Sequence, residues 1–377
     1  MYNILISGYY GFNNIGDESV LRTVIDNLRE KLPGVEIAVL SQDPAGTEAT
    51  YGVRAARRMN LGDILRSVWR CDLLLSGGGS LLQDATSSRS ILYYLFILRL
   101  AQLLRKQTFI YSQGIGPISD ARNRRLTAFV LKRTDGIVVR DAKSRDLLLE
   151  LGVSDHLIHV TADPVIRVKK ADPALGLRIL EEEGCPRHSG GLTVGWAVKA
   201  RKPNKAFLHE VERCILWLRE AYGADSVLIP FFHDEDLSVC EAVASRLDGQ
   251  AGCLRQKHLS EETLSIIGCM DVLVGVRLHS LIYAAVMGVP MIGVSYDPKV
   301  DSFLSSIHQP TPFTVEDFTL EKFQEVFRDT LDRREDIRAS VEACLEGLIS
   351  KLDQNEVLIQ ALMERKCNKN HAGSEVE

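Results

Sequence analysis

Short apolar runs alternate with longer helical stretches from the first residues onward, and this alternation restricts the fold more than any other feature of the chain. The runs at 4–6, 36–40, 72–75, 108–112, 136–139 and 157–160 carry apolar residues on both faces. Such runs suit strands covered on both faces, and the helix-length sequence after each predicts parallel strands joined by helical crossovers. A break follows at 163–175, with Asp163-Pro164, Lys169-Lys170 and Asp172-Pro173. Alternation then resumes, with strands expected at 192–198, 226–230, 271–275 and 291–294 and helices at 204–222, 235–247 and 280–287. Charged helical sequence fills 320–366, and the polar tail 368–377 is expected to fray. The expected architecture is α/β, with two Rossmann-like domains facing a cleft and a C-terminal helical segment. The domains are placed at 1–165 and 176–345, joined by a linker at 166–175 and followed by a C-terminal helix and tail at 346–377.

Composition narrows the function classes. The 45 Lys and Arg against 50 Asp and Glu give a net charge of −5, which argues against a general nucleic-acid binder. Any cationic site must therefore be local. Of the eight cysteines no two are separated by only two residues, so neither a zinc knuckle nor a thioredoxin-type pair is present in the sequence. Scattered thiols, and a first strand that starts without a basic n-region, favour the reducing cytoplasm.

Three glycine-rich segments follow strands of the first half. Residues 8–18 read Gly-Tyr-Tyr-Gly-Phe-Asn-Asn-Ile-Gly-Asp-Glu, a spacing that differs from the dinucleotide fingerprint. Residues 76–84 contain Gly77-Gly78-Gly79, and residues 112–117 read Ser-Gln-Gly-Ile-Gly-Pro. One such loop is a tight connection; three at one sheet edge describe a floor lined with backbone N–H groups, able to meet an anion or sugar. Gly11, Asn14, Asp17, Gly78, Gly79, Gln83 and Gln113 are the candidate contacts on this floor.

Arg140 ends the strand at 136–139, where a guanidinium either grips a carboxylate or phosphate bidentately or forms a structural ion pair with Asp141 or Asp163. The sharpest constellation is Gly275-Val276-Arg277-Leu278-His279-Ser280, between a strand and a helix. There His279 is placed for proton transfer, with Arg277 as fixed charge beside it. His233-Asp234-Glu235-Asp236 resembles a metal cluster, but no second His lies at metal spacing. No metal site is assigned; the segment reads as a polar loop in which His233 or Asp236 contacts a hydroxyl.

Between residues 89 and 133, nine Lys or Arg face one acid, Asp120. Within this segment residues 90–98 are apolar almost all round, too short to span a bilayer. Two readings stand: a helix buried against the sheet, or an apolar face flanked by arginines that dips into an anionic membrane surface.

Taken in order, residues 8–18, 76–84, 111–117, Val139-Arg140-Asp141 and Arg277-Leu278-His279 resemble the polysaccharide pyruvyl transferase family, most closely the bacterial CsaB type. The resemblance covers roughly residues 1–310. It implies a GT-B-like pair of domains and transfer of the pyruvyl group of phosphoenolpyruvate (PEP) to two hydroxyls of one sugar, releasing phosphate. By resemblance, Arg140, Arg277 and Leu278 bind PEP and His279 is catalytic. The implied acceptor is an N-acetylmannosamine-type sugar, ketalised at O4 and O6, on a lipid-diphosphate-linked cell-wall precursor whose polymer anchors S-layer proteins. PEP is the donor substrate and no cofactor is implied. Lys199 departs from the pattern, standing where many relatives have Arg, and is retained with His233 among the acceptor contacts. The expected partners are PEP, the lipid-linked acceptor and the cytoplasmic face of the membrane through 89–133, with no nucleic acid; the oligomeric state is left open. The competing reading is a GT-B glycosyltransferase or sugar-nucleotide epimerase using a UDP-sugar. Against it, residues 280–287 lack the acidic residue that would hold a ribose.

Overall fold

The computed structural model describes residues 2–85, 87–185, 191–199 and 205–374. The chain divides into two compact α/β units. Unit 1 comprises residues 1–12, 17–164 and 348–377, and unit 2 comprises 13–16 and 165–347.

Unit 1 begins with β1 (Tyr2–Ser7), α1 (Ile15–Lys31), β2 (Val35–Ser41), α2 (Pro44–Tyr51) and β3 (Arg54–Arg57). It continues through α3 (Leu61–Arg70), β4 (Leu73–Ser76), β5 (Gly79–Leu82), α4 (Ser88–Leu103) and β6 (Gln107–Ile115). Helix α5 (Ala121–Leu131), β7 (Gly136–Val139), α6 (Ala142–Glu150) and β8 (Ile158–Val160) complete the series. The strands form one parallel sheet in the order β3-β2-β1-β4-β6-β7-β8, with β5 paired to β6. Ile4, Leu5 and Ile6 of β1 and all four residues of β4 and β7 are buried, which is why these strands read as continuous apolar runs. Right-handed crossovers put α3 to α6 on one sheet face, where Ile64, Val68, Ile91, Leu98, Val130 and Leu148 share a core. Side-chain caps set the helix starts: Asn60 accepts from the Asp63 amide, Asp120 from Asn123 and Asp141 from Ser144.

Unit 2 contains α7 (Pro173–Glu182), β9 (Thr193–Ala197), α8 (Lys205–Tyr222), β10 (Asp225–Leu228) and α9 (His233–Arg246). Then come β11 (Ala251–Cys253), α10 (Ser260–Ile267), β12 (Val272–Gly275), α11 (Leu278–Met287), β13 (Met291–Ser295), α12 (Pro298–Ser306) and β14 (Phe313–Thr314). These strands are parallel, in the order β11-β10-β9-β12-β13-β14. Trp196, Val211, Cys214, Leu228, Val274 and Phe323 lie in its core, and residues of α13 (Leu320–Asp332) pack aromatic rings against it.

Helix α14 (Arg334–Ser374) belongs to unit 2 through Gly347 and to unit 1 from Leu348. Within unit 1, Glu356 accepts from the Tyr111 hydroxyl at 2.5 Å, Asn355 donates to Ser112 at 2.9 Å and Gln107 donates to the Leu362 carbonyl at 2.9 Å.

Several sequence expectations change. The tail expected to fray from Asn368 is helical through Ser374, and residues 375–377 lie outside those described, as does Asn204 at the expected start of α8. The expected glycine loop at 112–117 is largely strand, because β6 extends to Ile115 and pairs with both β5 and β7. Likewise residues 79–82 of the second glycine segment form β5, leaving Gly77 and Gly78 as the turn.

Candidate functional site

In parallel sheets the chain leaves each strand at its carboxyl end, so consecutive loops gather at one edge. Register fixes this edge in unit 2: Leu228 pairs with Trp196, Gly275 with Ala197 and Gly275 with Gly293. The residues just beyond those pairs are therefore neighbours. They are Lys199 after β9, Phe232 and the start of α9 after β10, Arg277 after β12 and Tyr296 after β13.

Arg277 is held by Asp236. Its Nε donates to Oδ2 at 3.0 Å and its Nη2 to Oδ1, with Glu235 3.6 Å away. Asp236 is fully buried and also accepts from the Phe232 amide at 2.9 Å. Burial works against the Arg277 charge, but Asp236 outweighs it and holds the group above the ordinary arginine value. The segment 233–236, expected as a polar loop whose His233 or Asp236 meets a hydroxyl, is instead the first turn of α9. Asp236 points inward as the lock on Arg277, and His233 Nε2 lies 2.9 Å from the Arg255 carbonyl.

Three cations surround one tyrosine at this edge. Lys199 Nζ sits 3.5 Å from the Tyr296 ring centroid, and Lys299 Nζ sits 5.5 Å from it. Burial, with Arg277 and Lys299 adding to it, lowers Lys199 below the ordinary lysine value although Tyr296 pulls the other way. Burial alone would raise Tyr296; Lys299, Lys199 and Arg277 overcome it and lower the phenol. Asp297 lies 3.6 Å from Lys299 and Asp236 pairs with Arg277, so carboxylates offset two of the cations, and Lys199, with no carboxylate at ion-pair distance among the described residues, is the one left to meet an anion.

His279 is the second residue of α11, half-buried, with Arg277 at the N-cap. Unit 2 also contains residues 13–16, where Asn14 bridges Phe232 in antiparallel fashion and the Ile15 amide donates to the Phe231 carbonyl at 3.2 Å. Gly16 packs directly on His279: a Cβ there would overlap the imidazole. The glycine is required by close approach, and the first glycine segment thereby fixes one side of the histidine. Leu278 has its side chain buried in the core.

In unit 1, the Arg140 side chain is largely covered at the end of β7. It donates to Asp163 and to the Ser80 hydroxyl, both at 2.9 Å, with Asp141 at 3.7 Å. The ion pair with Asp163 is thus formed and ties the end of β7 to the segment after β8, while the bond to Ser80 ties it to β5. Gln113 is fully buried in β6 and donates to Ser76 Oγ and the Gly77 carbonyl, both at 2.8 Å, so it supports the glycine turn from below. A Cβ on Gly79 would come within 2.9 Å of Asp17, which faces the same turn. Gly11 donates to Glu18 at 2.8 Å and Gln83 follows β5.

Sequence reasoning missed Tyr296, Lys299 and Arg58. Arg58 is buried among the rings of Tyr9, Phe12, Tyr93 and Tyr94, 4.6–5.8 Å from their centroids, and donates to the Gly8 carbonyl at 3.0 Å. It braces the first glycine segment by cation–π contact. Tyr296 directly follows β13 and Lys299 opens α12 just after its Asp297 cap, which was the signal for these two; nothing local marks Arg58. Among the described residues no group of three His, Cys, Asp or Glu is placed to hold a metal ion.

Several solved structures share this fold at low sequence identity. Anabaena HepE, crystallised with UDP-glucose, has a TM-score of 0.65 at 11% identity, covering 98% of this chain and 100% of that one. The UDP-GlcNAc 2-epimerase of Neisseria meningitidis, bound to UDP-GlcNAc, gives 0.62 at 13%, covering 96% and 100%. S. aureus MnaA, in its UDP co-structure, gives 0.62 at 11%, covering 90% of each chain. At these identities the likeness establishes the fold, two α/β units of the GT-B type. No curated protein matches the chain. The profile of one enzyme family does, over residues 14–298, and the chain accordingly belongs to the polysaccharide pyruvyl transferase family.

Proposed function

We propose that the protein transfers the pyruvyl group of PEP to two hydroxyls of one sugar, forming a cyclic ketal and releasing phosphate. The observation that carries this reading is the Lys199–Arg277–Lys299 cluster around Tyr296, beside His279 at the carboxyl edge of the unit 2 sheet. PEP carries nearly three negative charges, and a chain of net charge −5 can hold it only at such a local concentration of cations. Arg277, oriented by Asp236, grips a carboxylate or phosphate through its outward edge, and the N–H groups opening α11 add to the anion field. Arg140, which the resemblance also assigns to PEP, lies in unit 1, where Asp163 and Ser80 hold its guanidinium.

In the reaction C3 of the enol gains a proton and C2 becomes cationic. A sugar hydroxyl adds to C2 and gives up its proton, the C2–O bond to phosphate breaks, and the second hydroxyl attacks C2 and gives up its own proton. His279 serves as the acid or base, and the cations stabilise the departing phosphate. Within unit 1, the glycine-lined edge with Gly11, Gly78, Gly79, Asp17 and Gln83 is assigned to the acceptor by resemblance. Resemblance to the CsaB type makes that acceptor a lipid-diphosphate-linked saccharide with an N-acetylmannosamine-type sugar, ketalised at O4 and O6.

UDP-sugar chemistry is the second reading, favoured by the UDP-bound structures of similar fold. Helix α11 contains no Asp or Glu to meet a ribose, which weighs against it. Calorimetric titration with PEP and with UDP separates them. Saturable PEP binding that is lost in Arg277→Ala, without UDP binding, supports pyruvyl transfer. UDP binding without PEP binding overturns it.

A further inference from the structure

Ten of the fifteen exposed large hydrophobic side chains among the described residues fall between Met59 and Phe129, all in unit 1. They are concentrated on three neighbouring helices, α4 touching both α3 and α5. On α3, Leu61, Leu65 and Trp69 recur every four residues and form one outward stripe, while Ile64 and Val68 face the core. Met59 just before it is 73% exposed and Trp69 is 69% exposed. Helix α4 is apolar without a break from Ile91 to Leu98: Ile91, Tyr94, Leu95 and Leu98 bury the inner side, leaving Leu92, Phe96 and, further on, Leu103 outward. Leu126 and Phe129 continue the exposed surface on α5. Singly exposed hydrophobics are ordinary, but a contiguous set with a tryptophan is the mark of a docking surface.

Charge decides what docks there. Residues 59–133 hold eleven Lys or Arg and four Asp, a local excess of seven positive charges in a chain of net charge −5. The acids have internal partners: Asp72 accepts from Asn3, Asp84 from the Ser119 and Asp120 amides, Asp120 caps α5, and Asp63 pairs with Arg57. Arg70, Arg89, Arg105, Arg122 and Arg125 have no carboxylate within ion-pair distance among the described residues. Phe129 lies between cations, with Arg133 4.0 Å and Arg99 5.1 Å from its ring centroid. A second copy of this chain would bring two positive rims together, so self-association is disfavoured by charge.

We propose that the outer face of α3, α4 and α5 docks on an anionic lipid bilayer, with Leu61, Leu65, Trp69, Leu92 and Phe96 entering the headgroup boundary and the surrounding Arg and Lys meeting lipid phosphates. This is a surface attachment, since no helix among the described residues is long and apolar enough to cross a membrane. It extends the membrane reading of the 89–133 sequence to α3, which that segment does not include. The inference stands on the exposed side chains and their charges and does not depend on the reaction proposed above.

Trp69 supplies the probe, because Trp196 is buried and Trp217 packs against Phe323 and Phe327. The full chain is mixed with vesicles of phosphatidylglycerol and phosphatidylcholine, or of phosphatidylcholine alone, and followed by sedimentation and tryptophan emission. Expected are co-sedimentation with the anionic vesicles only, a blue-shifted emission, and quenching by brominated lipid. Leu65→Ser/Trp69→Ser abolishes the shift, and Arg70→Glu/Arg89→Glu/Arg125→Glu weakens sedimentation by at least about tenfold with unchanged thermal melting. Wild-type protein that ignores anionic vesicles, binds both compositions equally, or dimerises through Trp69 instead overturns the proposal.

Discussion

Asp236→Asn separates orientation from charge at the proposed donor site. The wild-type carboxylate is fully buried and accepts hydrogen bonds from the Arg277 guanidinium and the Phe232 amide, while the Arg277 side chain is only 14% exposed. The pair is too buried for solvent to screen it. The amide keeps one acceptor oxygen and loses the charge, so the charge-assisted bonds to Arg277 fall away at a cost of about 1.5–3 kcal/mol. Glu235, 3.6 Å from Arg277 and largely exposed, does not replace it. For a unit of this size the corresponding fall in Tm is roughly 3–12 °C, readable by calorimetry. The effect on PEP has a decisive sign. The substitution makes the site one charge more positive, so if Asp236 merely diluted the field, PEP would bind more tightly. If it aims the guanidinium, PEP binds more weakly despite the extra charge. Weaker PEP binding with lowered stability is expected from titration calorimetry; tighter binding with an unchanged Tm refutes the reasoning.

Other outcomes follow from the same geometry. His279→Ala should lower phosphate release from PEP by roughly 10²–10⁴-fold while leaving PEP affinity close to wild type; near-normal turnover removes the imidazole from the mechanism. Arg140→Ala leaves Asp163 buried without its cation and should cost about 3–5 kcal/mol in urea unfolding, much of it recovered in Arg140→Met/Asp163→Leu; a single variant as stable as wild type contradicts the ion-pair role. PEP affinity should fall on the alkaline side at pH values below 10. Raising pH ionises Tyr296, held below its ordinary value of 10.0, and deprotonates Lys199, held below 10.5, and both changes remove positive charge. Tyr296→Phe should flatten part of that fall, and an affinity constant up to pH 10 speaks against the cluster.

Much of the fold was legible because parallel strands buried on both faces, such as β1, β4, β7 and β12, write themselves as uninterrupted apolar runs. Edge and accessory strands did not. Arg54-Ala-Ala-Arg57 of β3 has charged ends, β14 is two residues long, and the glycines opening β5 read as loop. Arg277 and His279 were visible from their place between strand and helix. Asp236 was read as a ligand-facing residue because its partner lies 41 positions away, and no local pattern reports a pairing that the sheet creates. The same holds for Gly16 against His279. Tyr296 follows β13 and Lys299 lies in the first turn of α12, and only the register of β9, β12 and β13 brings them to Lys199 and Arg277. The outward stripe of α3 escaped notice for a different reason: an amphipathic pattern tells which residues share a face, not that both faces of a helix carry apolar side chains.

The most direct measurement is a crystal structure of the protein with PEP. Electron density for PEP is expected at the carboxyl edge of the unit 2 sheet, with an anionic group on the Arg277 guanidinium, a second within reach of Lys199 or Lys299, and C3 facing His279. Density for PEP that touches neither Arg277 nor Lys199 contradicts it.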